Sequence, residues 1–166
     1  MTVLPILTWP DARLSTLCIP VDAGEDIGAL VADMFETMYA APGRGLAAPQ
    51  VGVLKRIFVT DTTWKEASGT PMVFVNPRIT GQSEQRAGRE EGCLSIPGIT
   101  IEVERPAWVD LAWTDAEGTE LAQRFDGFAA VCVQHELDHL DGIVTFDRVG
   151  PLDRRLAEDR YARARA

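Results

Sequence analysis

His135 and His139 are the only two histidines, and they stand four residues apart in Gln134-His135-Glu136-Leu137-Asp138-His139, an H-E-x-x-H pattern. On an α-helix successive residues turn through about 100°, so positions four apart lie about 40° apart and one turn up. Both imidazoles can then reach a single cation. Glu136 falls about 60° beyond His139 on that side, beside the cation and within reach of a proton on water held there. The competing reading is a helix with two surface histidines and an i, i+4 charge pattern.

A catalytic metal usually takes three protein ligands and keeps one position open. Candidates for the third are Cys93, in Glu90-Glu91-Gly92-Cys93-Leu94-Ser95, and an acidic residue beyond the helix such as Glu158. Cys93 follows a glycine and has two acids upstream, a setting suited to a thiolate stabilised by a cation. Cys132, one turn before His135, reads as pocket lining, and Cys18 as core.

These side chains need elements to hold them. The run Phe128–Leu140 reads as a helix, with Asp126 as N-cap and Gly142 as the stop. Phe128, Val131 and Cys132 share the histidine face and are expected to line an apolar pocket, while Ala130, Val133, Leu137 and Leu140 cover another face. Such a helix is buried. Inward-facing histidines and a glutamate are costly to bury unless something such as a divalent cation satisfies them. Upstream, Ile27, Leu30, Val31, Met34, Phe35 and Met38 recur at three and four residues and predict an amphipathic helix over Asp22–Ala41, ended by Pro42-Gly43. Strands are expected at Arg56–Thr60, Met72–Asn76, Ile99–Glu104, Trp108–Trp113 and Glu120–Phe125. The fold class is α+β, with mainly antiparallel strands around a buried central helix and a helix towards each terminus.

With 166 residues and 46% apolar content, one domain over residues 1–166 is expected. No stretch of eighteen apolar residues occurs and the N-terminus lacks a signal-peptide pattern, so the expectation is a cytoplasmic protein with no membrane partner. Three cysteines without paired spacing argue against a disulfide framework. A net charge of −9 argues against tight binding to DNA or other nucleic acid backbones. Residues 152–166 depart from the acidic background, with five arginines against three acids. They form either a solvated terminal helix or a docking surface.

The motifs resemble those of the peptide deformylases. Gly43-Arg44-Gly45-Leu46-Ala47-Ala48-Pro49-Gln50 is similar to G-x-G-L-A-A-x-Q, Glu91-Gly92-Cys93-Leu94-Ser95 to E-G-C-L-S, and Gln134–His139 to Q-H-E-x-D-H, in the family's order. The resemblance implies a divalent metal on Cys93, His135 and His139, by family habit iron(II), with zinc, nickel or cobalt also suited to these donors. It implies Glu136 as general base and then acid, and the Gln50 amide and Leu94 N–H as oxyanion donors. Glu91 would pair with Arg105 in support, and Gly43, Arg44 and Gly45 would hold the substrate backbone in extended form. The implied substrates are formylated nascent peptides, with the pocket of Phe128, Val131 and Cys132 taking methionine. The terminal helix would dock on the ribosome, so that removal of Leu152–Ala166 spares activity on small peptides.

Arg44 occupies a position where an apolar side chain is common in the family. It either points to solvent, favours carboxylate-bearing substrates, or marks a deformylase-like paralogue with altered specificity. Two further alternatives are an H-E-x-x-H zinc endopeptidase with Glu158 as third ligand, and a non-catalytic metal- or partner-binding paralogue.

Overall fold

The computed structural model describes all residues, Met1–Ala166. Its three long helices are α1 (Gly28–Ala40), α2 (Gly127–Leu140) and α3 (Pro151–Ala164), and its strands are β1 (Gly45–Ala47), β2 (Ile57–Thr60), β3 (Met72–Gln82), β4 (Arg86–Cys93), β5 (Ile96–Pro106), β6 (Trp108–Thr114) and β7 (Glu120–Asp126). Five strands form an antiparallel sheet in the order β1-β2-β3-β6-β7, and β4 and β5 form a separate antiparallel hairpin.

The sheet lies between α1 and α2, and strand alternation shows why. All four residues of β2 are buried, because side chains of period two point alternately to opposite faces and each face here carries a helix. Ile57 and Val59 pack with Val31, Met34 and Met38 of α1. Phe58 packs with Phe74, Leu111, Val133, Leu137 and Leu140 on the α2 side. Phe58 and Phe74 are fully buried and stack at 4.4 Å between ring centroids, each contributing about 1.5–3 kcal/mol by leaving water. α2 is thus a central buried helix, as its apolar pattern predicts. A third cluster joins Ile96, Ile101 and Val103 of β5 to Phe146 and to Ala157 and Tyr161 of α3.

The element boundaries depart from the sequence expectation in physically readable ways. α1 begins at Gly28, not Asp22, because the intervening residues form a turn with Gly24 at φ +78° and with Asp26 accepting from the Gly28 amide at 3.0 Å. Asp126 sits at the N-cap position of α2 but its side chain makes no capping hydrogen bond. β3 and β5 run well beyond the apolar segments that announce them. β4 was not expected at all, since Arg86-Ala87-Gly88-Arg89-Glu90-Glu91-Gly92-Cys93 has no apolar alternation; its place comes from pairing with β5.

The terminal helix is not a detachable tail. Ala157 and Tyr161 are buried, and the Tyr161 hydroxyl donates to the Trp9 carbonyl at 2.8 Å. Removing Leu152–Ala166 would open the third cluster, so the expectation that this truncation spares activity is withdrawn. No helix is long and apolar enough to cross a membrane.

Candidate metal centre

Three elements converge on one point. Helix α2 presents His135, Glu136 and His139, the end of β4 presents Cys93, and the short helical turn Ala48–Val51 after β1 presents Gln50. The ligand atoms of Cys93, His135 and His139 all lie within 4.8 Å of one another, with Cys93 Sγ 3.4 Å from His139 Nε2. Tetrahedral ligation by sulfur and imidazole places donor atoms roughly 3.3–3.7 Å apart, so the cluster needs only a small contraction to hold a cation. Glu158 takes no part. It accepts from Arg154 at 2.8 Å on α3, which removes the ligand set required by the zinc-endopeptidase reading.

The surroundings suit ligation. Nδ1 of His135 contacts Glu91 Oε1 at 2.9 Å; donation there turns the Nε2 lone pair towards Cys93 and makes the imidazole a stronger ligand. Burial holds His139 well below the usual histidine range. It is therefore neutral and able to ligate. Burial pushes the Cys132 thiol well up, keeping it protonated and inert, as a lining residue would be. Burial likewise raises the Glu136 carboxyl to about 7. Glu136 Oε2 and His139 Nδ1 are buried polar atoms without a hydrogen-bond partner. An unpaired carboxylate oxygen in such a place is expensive for stability, and it lies where a proton acceptor is useful.

Gly45 makes this approach possible, since a Cβ built there would stand 2.6 Å from Glu136 Oε1. Gln50 is oriented by its neighbours. Its Oε1 accepts from the Ala47 amide at 2.9 Å, and its Nε2 therefore faces Ser95 Oγ at 3.0 Å and Cys93 Sγ at 3.8 Å. The Leu94 amide, at the tip of the β4–β5 hairpin, makes no backbone hydrogen bond. It is free to donate.

Beneath the site lies a buried ionic network. Arg105 donates to both oxygens of Glu91, at 2.7 and 2.9 Å, and to Asp138 at 2.8 Å. Arg148 closes the other side of Asp138 at 2.9 and 2.5 Å. The pair Glu91–Arg105 agrees with the resemblance. Asp138, Arg148 and Ser95 were not singled out from the sequence, although a carboxylate inside a buried helix is itself a signal that a cation must face it.

A cavity of about 660 Å³ opens onto this cluster, lined by Gly43, Arg44, Gly45, Glu91, Cys93, Leu94, Phe128, Val131, Cys132, His135 and Glu136 among others. It lies between β1, an edge strand of the five-stranded sheet, and the β4–β5 hairpin. All three apolar residues assigned to the histidine face border it, Val131 and Cys132 buried and Phe128 about half-exposed. Arg44 does not extend freely into solvent. Its guanidinium donates to the Thr62 carbonyl at 2.6 Å, forms a two-point ion pair with Glu66, and stands 5.5 Å from the centroid of the Phe128 ring.

A half-buried cysteine and two buried histidines beside an unpaired glutamate, gathered at an open cavity, define a metallohydrolase type of site. The pattern of the polypeptide deformylase family matches residues 3–155, and the chain belongs to that family. A peptide deformylase of Rhizorhabdus wittichii is 46% identical, covering 99% of this chain and 97% of its own. One from Rhizobium meliloti is 45% identical, covering 99% and 95%. The crystal structure of a peptide deformylase from Legionella pneumophila superposes with a TM-score of 0.91 at 37% identity, covering 99% of this chain and 96% of that one.

Proposed function

We propose that this chain, acting as one catalytic unit over residues 1–166, hydrolyses the N-terminal formamide of formyl-methionyl nascent peptides, releasing formate. The observation that carries the reading is the convergence on one cavity of the Cys93, His135 and His139 donor atoms, the unpaired oxygen of Glu136 and the directed amide of Gln50.

Cys93, His135 and His139 hold a divalent cation, for which family resemblance favours iron(II); when bound, it supplies Lewis-acid polarisation and lowers the pKa of water. Glu136 accepts the proton of the attacking water and delivers it to the departing amine. A formamide is a poor electrophile, so the charge that develops on its oxygen needs preorganised donors. Gln50 Nε2 and the Leu94 N–H are placed for this, each such donor being worth about 10²- to 10³-fold in rate. Glu91, pinned by Arg105, keeps His135 in its ligating orientation. The outer edge of β1 has no strand partner and accepts the peptide backbone in extended form at Gly43, Arg44 and Gly45. The methionine side chain enters the pocket of Phe128, Val131 and Cys132.

The test is formate release from formyl-Met-Ala-Ser by protein prepared without oxygen and loaded separately with iron(II), nickel or zinc, with metal content measured alongside. Cys93→Ser is expected to lose at least about tenfold in metal affinity, whereas Glu158→Gln retains the metal. Absence of turnover with every metal in a folded, loaded protein would overturn the reading.

Resemblance also supports a cytoplasmic site of action at the ribosome, through the exposed face of α3. Arg155 and Arg163 are exposed there and make no side-chain hydrogen bond, in contrast to Arg154, Arg160 and Arg165. Binding is expected to be weak and salt-dependent, because the rest of the surface is acidic. Replacing Arg155 and Arg163 together by glutamate leaves Ala157 and Tyr161 in the core and should reduce co-sedimentation with ribosomes severalfold. Equal sedimentation would rule out docking through this face.

A further inference from the structure

The ten residues Asp61–Thr70, between β2 and β3, form a strap against the cavity rim. Trp64 Nε1 donates to the Gly43 carbonyl at 2.8 Å and Lys65 Nζ to the Pro42 carbonyl at 2.5 Å. The Asp61 amide donates to the Arg44 carbonyl at 2.9 Å. The strap is itself anchored, with Asp61 accepting from the Tyr39 hydroxyl at 2.6 Å and from the Thr70 amide at 2.9 Å. Three successive carbonyls of the Pro42–Arg44 turn are thus occupied from the strap side, and the guanidinium of Arg44 is held by Thr62 and Glu66 of the same segment.

This geometry has an electrostatic consequence. Arg44, Lys65 and Glu90 all line the cavity, so its mouth carries two cations and one anion besides the buried carboxylates of Glu91 and Glu136. Glu66 supplies the second anion from just outside. We propose that Glu66 is a specificity-determining residue: by neutralising Arg44 at the rim, it keeps the site indifferent to the charge of the residues that follow formyl-methionine. The inference rests on the deformylase reading of the cavity. It also explains how a guanidinium is tolerated at a position bordering an apolar pocket, since its charge is satisfied on the strap side while its central carbon stands 5.5 Å from the centroid of the Phe128 ring.

Removing the charge of Glu66 need not release Arg44. The Thr62 carbonyl and the Phe128 ring still hold the guanidinium in place, now uncompensated, within a Debye length of any substrate side chain in the cavity mouth. The experiment compares kcat/KM for formyl-Met-Glu-Ser and formyl-Met-Lys-Ser in wild type and in Glu66→Gln, the protein being loaded with the metal that supports turnover of formyl-Met-Ala-Ser. The ratio of the two substrates cancels any loss common to both from a loosened strap. Wild type is expected to give a ratio within about twofold of unity, and Glu66→Gln a shift of about three- to fivefold towards glutamate, in the range of a partly exposed charge pair. The shift should shrink at about 0.5 M salt and disappear when Arg44→Ile is added to Glu66→Gln. A ratio unmoved by Glu66→Gln, with formyl-Met-Ala-Ser still hydrolysed, overturns this proposal alone. No hydrolysis of formyl-Met-Ala-Ser by wild type overturns it together with the deformylase reading.

Discussion

Glu136→Gln should lower kcat for formate release by about 10²- to 10⁴-fold, with metal content at the wild-type level and little change in KM. Glu136 is not among the three clustered donor residues, so its loss should leave metal affinity intact. Its Oε2 has no partner inside the protein and its Oε1 faces Gly45, so the carboxylate is held by no neighbour that needs it for folding. An amide of the same shape keeps the packing against Gly45 and removes only the capacity to take up and return a proton. A loss in kcat, rather than in binding, is the signature of a group that acts in the transition state. Turnover within a few-fold of wild type, at equal metal occupancy, would rule Glu136 out as the proton carrier.

Arg105→Met should destabilise the fold by about 3–5 kcal/mol, because breaking a buried ion pair from one side leaves its partners charged and dry. Arg105 is 4% exposed, and its two partners, Glu91 and Asp138, are 5% and 7% exposed, so water cannot replace the lost guanidinium. Methionine fills much of the same space, which separates the charge effect from a cavity effect. For a chain of this size the expected fall in Tm is about 6–20 °C, measured on metal-free protein so that bound metal does not add its own stabilisation. Adding Glu91→Gln should recover part of the loss by removing one of the stranded charges, and the double-mutant cycle gives the coupling directly. A fall of less than about 1 kcal/mol would show that Asp138 is satisfied by Arg148 alone and that Glu91 finds another partner. The same network orients His135, so metal affinity should fall alongside stability.

How far the sequence carried these conclusions differs from residue to residue. His135, Glu136 and His139 were legible as a unit, because a period of 3.6 relates residues four apart without reference to the rest of the chain. Phe128, Val131 and Cys132 followed from the same helix geometry. Cys93 lies on another element, 42 positions before His135; only motif resemblance joined it to the histidines, since no local periodicity links β4 to α2. The strands with apolar alternation were visible, whereas charged β4 was not, because its position is set by a partner strand. Arg44 stood out by type, yet its state depends on Glu66, a residue on a strap with no motif of its own.

The sequence by itself determined the donor types, the helix that carries two of them and the acidic character of the whole, since these are properties of composition and of one element's period. Tertiary structure alone decided how Gln50 is turned, what satisfies Asp138, that α3 belongs to the core, and that the charge of Arg44 is compensated. Each of those depends on contacts between residues distant in the chain, and such contacts arise only when separate elements pack to exclude water and pair their buried charges.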